Sequence, residues 1–308
     1  MNTLLVIDGN AIMHRAYHAL PPFKTKKGVP TNAVYGFFTM LYKAIQDFTP
    51  QYIAVGFDTP AQTFRQKIHK KYQSQRPEIS DDFKIQIPII QKLLDKAHIY
   101  REEKDGLEAD DIIGTIVARS RRKDLKILIL TGDKDIMQLI DKNTYVVSPQ
   151  MGMSTTKIYN IVEVEKKLFV PPSKIPDLKA IAGDPSDNYS GAKGIGPKTA
   201  ASLLEEYGTL ENLLKNVKNM KNPKLKKIFE DQAKDVLLAK KLSQIVTDAD
   251  ISFTLEKASF NGFPEELKEA FTELEMKSLV QRFFNISLSS APPTPKKQKK
   301  DDKQINLF

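Results

Sequence analysis

Nine carboxylates fall in five short cassettes. These are V-I-D-G-N around Asp8, G-F-D-T-P around Asp58, G-L-E-A-D-D with Glu108, Asp110 and Asp111, T-G-D-K-D with Asp133 and Asp135, and G-D-P-S-D-N with Asp184 and Asp187. Carboxylates gathered at one place repel, and a cation makes such a gathering stable. The donors are oxygen only, with no cysteine in the chain and no histidine close to the cassettes, which favours Mg²⁺ or Mn²⁺ over zinc. Two divalent ions about 3.5–4 Å apart can activate a water and stabilise a leaving oxygen in an in-line displacement. Singly, each cassette has a plainer reading: an Asx-stabilised turn for G-D-P-S-D-N, a loop for D-K-D, dipole-complementing acids for E-A-D-D. Five together call for a shared purpose.

The elements that would carry these acids can be read from patterning. Leu4–Ile7 reads as a buried parallel strand delivering Asp8, followed by a helix from Ala11 to about Ala19. A second helix, about Asn32 to Phe48, leads into the strand Tyr52–Phe57 and Asp58; a third strand, Leu125–Leu130, ends at Thr131-Gly132-Asp133. This alternation predicts an α/β domain with a mostly parallel sheet, whose ligands bind beyond the carboxyl ends of the strands. Glu108 to Arg119 reads as a helix with Ile112, Ile113, Ile116 and Val117 on its apolar face, and with Glu108 and Asp111 neighbours on one side of its first turn.

Charge points the same way. The chain of 308 residues has 47 Lys+Arg against 38 Asp+Glu, a net +9; without the nine cassette acids it is 47 against 29, or +18. Such an excess suits a polyanionic partner, although a solvated surface accounts for net charge alone equally well. The length predicts about two domains. The lack of cysteine excludes disulfides and thiolate metal sites and fits a reducing cytoplasm, and no run is long and apolar enough for a signal peptide or membrane span.

From Pro171 onward the pattern is helical and lysine-rich. S-G-A-K-G-I-G-P-K-T-A places Pro197 at the start of a helix to about Tyr207, with Lys193 and Lys198 beside it, an arrangement that offers N–H groups and charge to a phosphate. Between Asp58 and the E-A-D-D helix, Phe64, Arg65, Lys67, Lys70, Lys71, Tyr72 and Arg76 interleave basic and aromatic residues, as a single strand requires. His14 and His18 lack a third nitrogen or sulfur ligand and are set aside as a zinc site. The lysines from Lys215 to Lys227 read as a solvated face.

These cassettes, in this order, resemble the bacterial 5′–3′ exonuclease/flap endonuclease family, best known as the N-terminal domain of DNA polymerase I. The likeness runs from about Leu4 to Phe284 through D-G-N-A-I-M-H-R-A-Y-H-A, F-D-T-P-A-Q-T-F-R, E-A-D-D-I-I-G-T, T-G-D-K-D-I-M-Q-L and G-I-G-P-K-T-A. The resemblance implies a PIN-like, Rossmann-like nuclease core over residues 1–170 with a helical arch at about 60–105. It also implies a helical subdomain over 171–287 containing a helix–three-turn–helix module at about 178–210. By it, Asp8, Asp58, Glu108 and Asp110 hold one metal, and Asp111, Asp133, Asp135, Asp184 and Asp187 serve a second. Arg15, Tyr72, Arg76, Lys70 and Lys71 fall near the scissile phosphate and the arch. Backbone carbonyls of Ile181, Ala182, Ser190, Ala192 and Ile195 would bind K⁺, while Phe64, Arg65, Lys67, Lys193, Gly194, Gly196, Lys198 and Thr199 would touch DNA. The implied activity is metal-dependent removal of 5′ flaps and RNA primers by a cytoplasmic, nucleoid-associated monomer.

The chain departs from the family at Gln73, where most relatives carry a lysine, and at Ser190, where they carry proline. Residues 288–308 read as a proline- and charge-rich tail ending in Gln304, Ile305, Asn306, Leu307 and Phe308. Q-I-N-L-F resembles the bacterial sliding-clamp-binding pentapeptide, which implies a stand-alone nuclease tethered to the clamp. Two other readings are a PIN-type ribonuclease, disfavoured by the glycine–lysine duplex module, and a non-catalytic clamp partner, disfavoured by the intact set of nine acids.

Overall fold

The computed structural model describes residues 1–150 and 156–284; the pentapeptide at Gln304–Phe308 lies outside the described residues. In chain order the elements are β1 (Asn2–Asp8), α1 (Gly9–Ala19), α2 (Asn32–Phe48), β2 (Tyr52–Phe57), α3 (Phe64–Ile68), α4 (Asp81–Lys84), α5 (Gln86–Lys96), β3 (Tyr100–Glu103), α6 (Ala109–Ser120) and β4 (Leu125–Leu130). They continue with β5 (Thr144–Pro149), β6 (Thr156–Tyr159), α7 (Ile161–Leu168), α8 (Ile175–Ala182), α9 (Pro197–Tyr207), α10 (Leu210–Lys215), α11 (Pro223–Ser243), α12 (Glu265–Glu273) and α13 (Lys277–Phe284).

The six strands form one sheet in the order β3-β2-β1-β4-β5-β6, parallel except for the antiparallel β6. The central strand β1 is buried on both faces, which is why Leu4–Ile7 reads as a continuous apolar run. Leu4 and Val6 face the core shared with α6 and the helical half, α8–α11; Leu5 and Ile7 face α1, α2 and α5. Adjacent strands leave Asp8, Asp58 and Asp133 at one end of the sheet because β1 lies between β2 and β4.

Two expectations need correction. The stretch 60–105 does not form an arch throughout. Ile90, Leu93 and Leu94 of α5 are buried in the core with α2, and Tyr100–Glu103 pairs with β2 as β3, so within this stretch it is α3 and the turns around it, from Pro60 to Ile79, that face the acids. Nor do residues 171–287 stay together. Leu267, Phe271, Leu279 and Phe283 of α12 and α13 pack on the Leu5/Ile7 face with Phe38, opposite the core that takes α8–α11. The alternating faces of one strand thus decide which helices can meet.

Candidate active site: an acidic pit at the end of the sheet

The pit is a cavity of about 560 Å³ lined by Asp8, Asp58, Glu108, Asp110, Asp133, Asp135 and Asp187, together with His14, Gln73 and Arg76. Asp8, Asp58, Glu108 and Asp110 are delivered by strand ends and the start of α6, whereas Asp133 and Asp187 stand in the loop after β4 and in a turn. Asp8 ends β1 and caps α1: its Oδ1 accepts from the Ala11 N–H at 2.9 Å, and its Oδ2 accepts from the Thr131 hydroxyl at 2.7 Å. The Thr131 oxygen takes the Asp133 N–H at 2.9 Å, and Asp133 Oδ1 takes the Asp135 N–H at 2.7 Å. Asp58 Oδ1 accepts from the first amide of α6, Ala109, at 2.6 Å. Carboxylates at helix N-termini find unpaired N–H donors there, so the fold itself orients them.

Tyr72 joins the two sides of the pit. Its hydroxyl lies 3.2 Å from Glu108 and 3.1 Å from Asp187, and Arg76 holds Asp187 at 2.9 Å. Gln73, in the left-handed region at φ 56°, places its amide 3.2 Å from the same carboxylate. Asp135, Asp184 and Asp187 each offer a carboxylate oxygen within 4.8 Å of the others. Lys179, on α8, is paired with both Asp135 and Asp184.

Electrostatically the pit is under strain. Burial raises Asp8 to about 7 against the pull of its hydrogen bonds from Thr131 and Ala11. Burial likewise raises Glu108 to about 7, opposed by Arg65, and Asp135 to about 6, opposed by Lys179. Asp110 is pushed well above the carboxylate range by burial and then by Asp133 and Asp8, and Asp58 is raised by burial. Burial also acts on Asp184, but Lys179 and the hydrogen bonds from Ser186 together outweigh it and hold that group low. Buried acids that resist ionisation next to one another mark a place where positive charge is missing. Oxygen-only donors converging from five segments fit hard divalent cations.

Asp111 and Arg65 do not take the places expected of them. Asp111 is fully buried and turned away from the pit: Arg65 holds both its oxygens, at 2.7 and 2.8 Å, and Val246 N–H adds a third bond at 2.9 Å. A carboxylate so occupied is a structural partner, and Arg65, 2% exposed, cannot reach DNA. Phe64 lies under the Arg65 guanidinium, 4.6 Å from the ring centroid. Lys67, on α3, and Lys70, Lys71 and Arg76, on the turns that follow it, are exposed, and Arg15 donates to the Gln150 carbonyl.

The glycine loop lies apart, around a cavity of about 840 Å³ lined by Ala182, Asp184 and Ser190 through Gly196. A Cβ at Gly191 would stand 2.3 Å from both the Gly183 nitrogen and the Ile181 oxygen, so only glycine lets this loop close on the end of α8. The Ile181 carbonyl accepts from Ala192 N–H at 2.8 Å and the Ala192 carbonyl from Ile195 N–H at 3.1 Å. Lys193, Gly194, Gly196, Lys198 and Thr199 are exposed at the start of α9.

Sequence reasoning missed Lys179, Thr131 and His14. Lys179 sits five residues before Asp184 on a short helix that is apolar apart from it and Asp177; a lysine there was the available signal.

A parallel sheet with acids converging at its carboxyl end, backed by a helical unit with a glycine loop, defines a phosphodiester-cleaving nuclease of the resolvase-like class. Residues 3–169 match the N-terminal resolvase-like domain of 5′–3′ exonuclease, and residues 170–266 its C-terminal SAM-fold domain. A 5′–3′ exonuclease of Aquifex aeolicus is 41% identical over 93% of this chain and 96% of its own length. DNA polymerase I of Bacillus subtilis is 36% identical over 91% of this chain, which spans 32% of that polymerase. The chain belongs to the 5′–3′ exonuclease family. Its fold is shared with bacteriophage T5 5′-exonuclease solved with zinc bound, at TM-score 0.65 and 18% identity over 92% of this chain and 98% of that one. The catalytic core of Rad2 in complex with DNA substrate is similar at TM-score 0.62 and 17% identity over 92% of each. Among the described residues no helix is long and apolar enough to cross a membrane.

Proposed function

We propose that this nuclease cuts 5′ flaps and primer ends from DNA at two divalent ions, Mg²⁺ in the cell with Mn²⁺ able to substitute. The observation that carries this reading is the pit itself, where seven carboxylates line one cavity and burial raises Asp8, Glu108 and Asp135. Asp8, Asp58, Glu108 and Asp110 would hold one ion; Asp133, Asp135, Asp184 and Asp187 would serve the other, directly or through water. Ions held there would supply activation of a water and positive charge for the leaving oxygen. This chain's residues do the rest. Tyr72 fixes Glu108 and Asp187 relative to each other, and Arg76 brings a guanidinium beside Asp187 at the mouth of the pit. Lys179 neutralises Asp135 and Asp184 until they are engaged. Lys70 and Lys71, exposed nearby, suit the phosphates of the displaced strand.

The glycine loop would seat the duplex. N–H groups at the start of α9, with Lys193 and Lys198, suit a backbone phosphate, and K⁺ held by carbonyls of that loop would share it. The terminal Q-I-N-L-F would recruit the sliding clamp, with the protein acting as a monomer in the nucleoid. Cleavage of labelled 5′-flap, single-stranded and RNA substrates, with Mg²⁺ and with EDTA, tests the proposal. Flap cleavage that requires Mg²⁺ is expected; cleavage of single-stranded RNA in preference to flaps would overturn it.

A further inference from the structure

α11 ends at Ser243, and the backbone that follows runs through the nuclease core held by side chains. The carbonyls of Leu242 and Gln244 each accept from Arg65 at 2.8 Å. The Ser243 carbonyl accepts from Gln138 at 3.0 Å, Ile245 N–H donates back to Gln138 at 3.0 Å, and Val246 N–H donates to Asp111 at 2.9 Å. Five successive residues of one segment are thus bonded to the core. A Cβ at Gly114 would stand 2.4 Å from the Ile245 side chain and 2.7 Å from the Val246 carbonyl, so α6 lies against that segment with no room to spare.

The same side chains reach the pit. Glu108 N–H donates to Asp111 at 3.1 Å, and the Arg65 guanidinium lies 3.7 Å from the Glu108 carboxylate. Gln138 also donates to the Asp135 carbonyl at 3.0 Å. Midway along it α11 touches the glycine loop: Lys193 N–H donates to Gln232 at 2.8 Å, where the helix is kinked at φ −116° and ψ 17°. One helix therefore runs from the glycine loop to the residues that hold Glu108 and Asp135.

We propose that the Arg65–Asp111 pair is a positioning device: it locks Glu108 to the segment 242–246, so that the metal-holding geometry depends on how the helical unit is seated. The inference rests on the pit being a metal site. Burying an ion pair seldom adds net stability over an apolar pair of similar size, so what the pair supplies is a fixed orientation. Arg65 makes four such bonds at once, which lysine cannot reproduce.

The test compares Arg65→Lys, Asp111→Asn, the two combined, and the apolar pair Arg65→Met with Asp111→Leu. Thermal melting identifies any variant that fails to fold, and the apolar pair keeps a folded protein available if a lone charge proves too costly. Calorimetry with Mn²⁺ and no DNA reads metal affinity directly, so the result stands even if the wild-type protein cuts no flap; flap binding in Ca²⁺ and the single-turnover rate against Mg²⁺ are measured alongside. Arg65→Lys and Asp111→Asn should each weaken metal binding by about tenfold, consistent with the loss of a group that orients ligands. The combined variant should be no worse than the poorer single one, because both remove the same link. The apolar pair should melt near the wild-type temperature and still bind metal weakly. Flap affinity should change by less than about threefold, since charge on the exposed surface supplies it. Unchanged metal affinity in Arg65→Lys with a collapse in Asp111→Asn would make Asp111 a ligand instead. Wild-type metal affinity in the apolar pair would reduce the link to scaffolding. Either result overturns the proposal.

Discussion

Metal binding at this pit must be tightly linked to protons, and the size of the link follows from three groups. Asp8 and Glu108 are raised to about 7 and Asp135 to about 6. The two ions together need all three charged, Asp8 and Glu108 around one and Asp135 beside the other. At pH 8 nearly all are; at pH 6, Asp8 and Glu108 are each about nine-tenths protonated and Asp135 about half. The overall affinity for the two ions should therefore fall at least roughly two-hundredfold from pH 8 to pH 6, with at least about one proton released when both bind at pH 7, Asp110 and Asp58 adding to both figures. Calorimetry in two buffers of different ionisation enthalpy measures both quantities. The metal-free protein provides the matching sign. Asp8 and Glu108 start from 3.8 and 4.5, and the folded state raises both, so it holds their protons more tightly than the unfolded chain does. The stability they contribute is complete below about pH 4 and is lost as pH rises through about 7, so Mg²⁺ should raise the melting temperature more at pH 8 than at pH 6. A metal affinity that is flat between pH 6 and pH 8 would mean these acids are already charged, and the assignment of Asp8 and Glu108 as ligands would fall with it.

Three further outcomes are expected. Asp133→Ala and Asp184→Ala should each slow single-turnover flap cleavage by about 10² or more while flap affinity stays within a few-fold, because the acids act on the barrier and the basic surface on binding; near-normal turnover at low Mg²⁺ would contradict the two-ion reading. Gln73→Lys should raise the single-turnover rate by about tenfold, since Gln73 already reaches Asp187 at 3.2 Å and a cation there would face developing negative charge; an unchanged rate would assign that role to Arg76. Deleting Gln304–Phe308 should leave flap cleavage intact and abolish binding to the sliding clamp, because the pentapeptide would be the tether; calorimetry of the tail peptide showing no heat at high micromolar concentration would refute it.

Much of the sheet could be read from the chain because its central strands carry a continuous signal. Leu4–Ile7 and Leu125–Leu130 are apolar on both faces, and α2 and α9 begin and end where the pattern places them, at Asn32–Phe48 and Pro197–Tyr207. β3 could not be read this way: Tyr100–Glu103 is polar, lies at the sheet edge and stays half-exposed. The return of α12 and α13 to the Leu5/Ile7 face was also hidden, because an amphipathic helix announces that it will be buried and not which face will bury it.

The acids divide along the same line. Spacing places Glu108, Asp110 and Asp111 on one turn of α6, and there the local rule stops. Which of the three faces the cavity depends on an arginine 46 residues away and on carbonyls 177 and 179 residues from that arginine. Asp110 is left without a close cation and is pushed well above the carboxylate range; Asp111, one residue on, has a guanidinium across both oxygens. Type and spacing therefore predict that a group of acids will be gathered. Only the arrangement of cations around them decides which acids stay charge-hungry and so draw a metal, and that arrangement is set by long-range packing that no local pattern encodes. In this chain the segment that decides it leaves the end of the same helix whose middle holds the glycine loop, so the choice of ligands and the seating of the helical unit are made by one set of bonds.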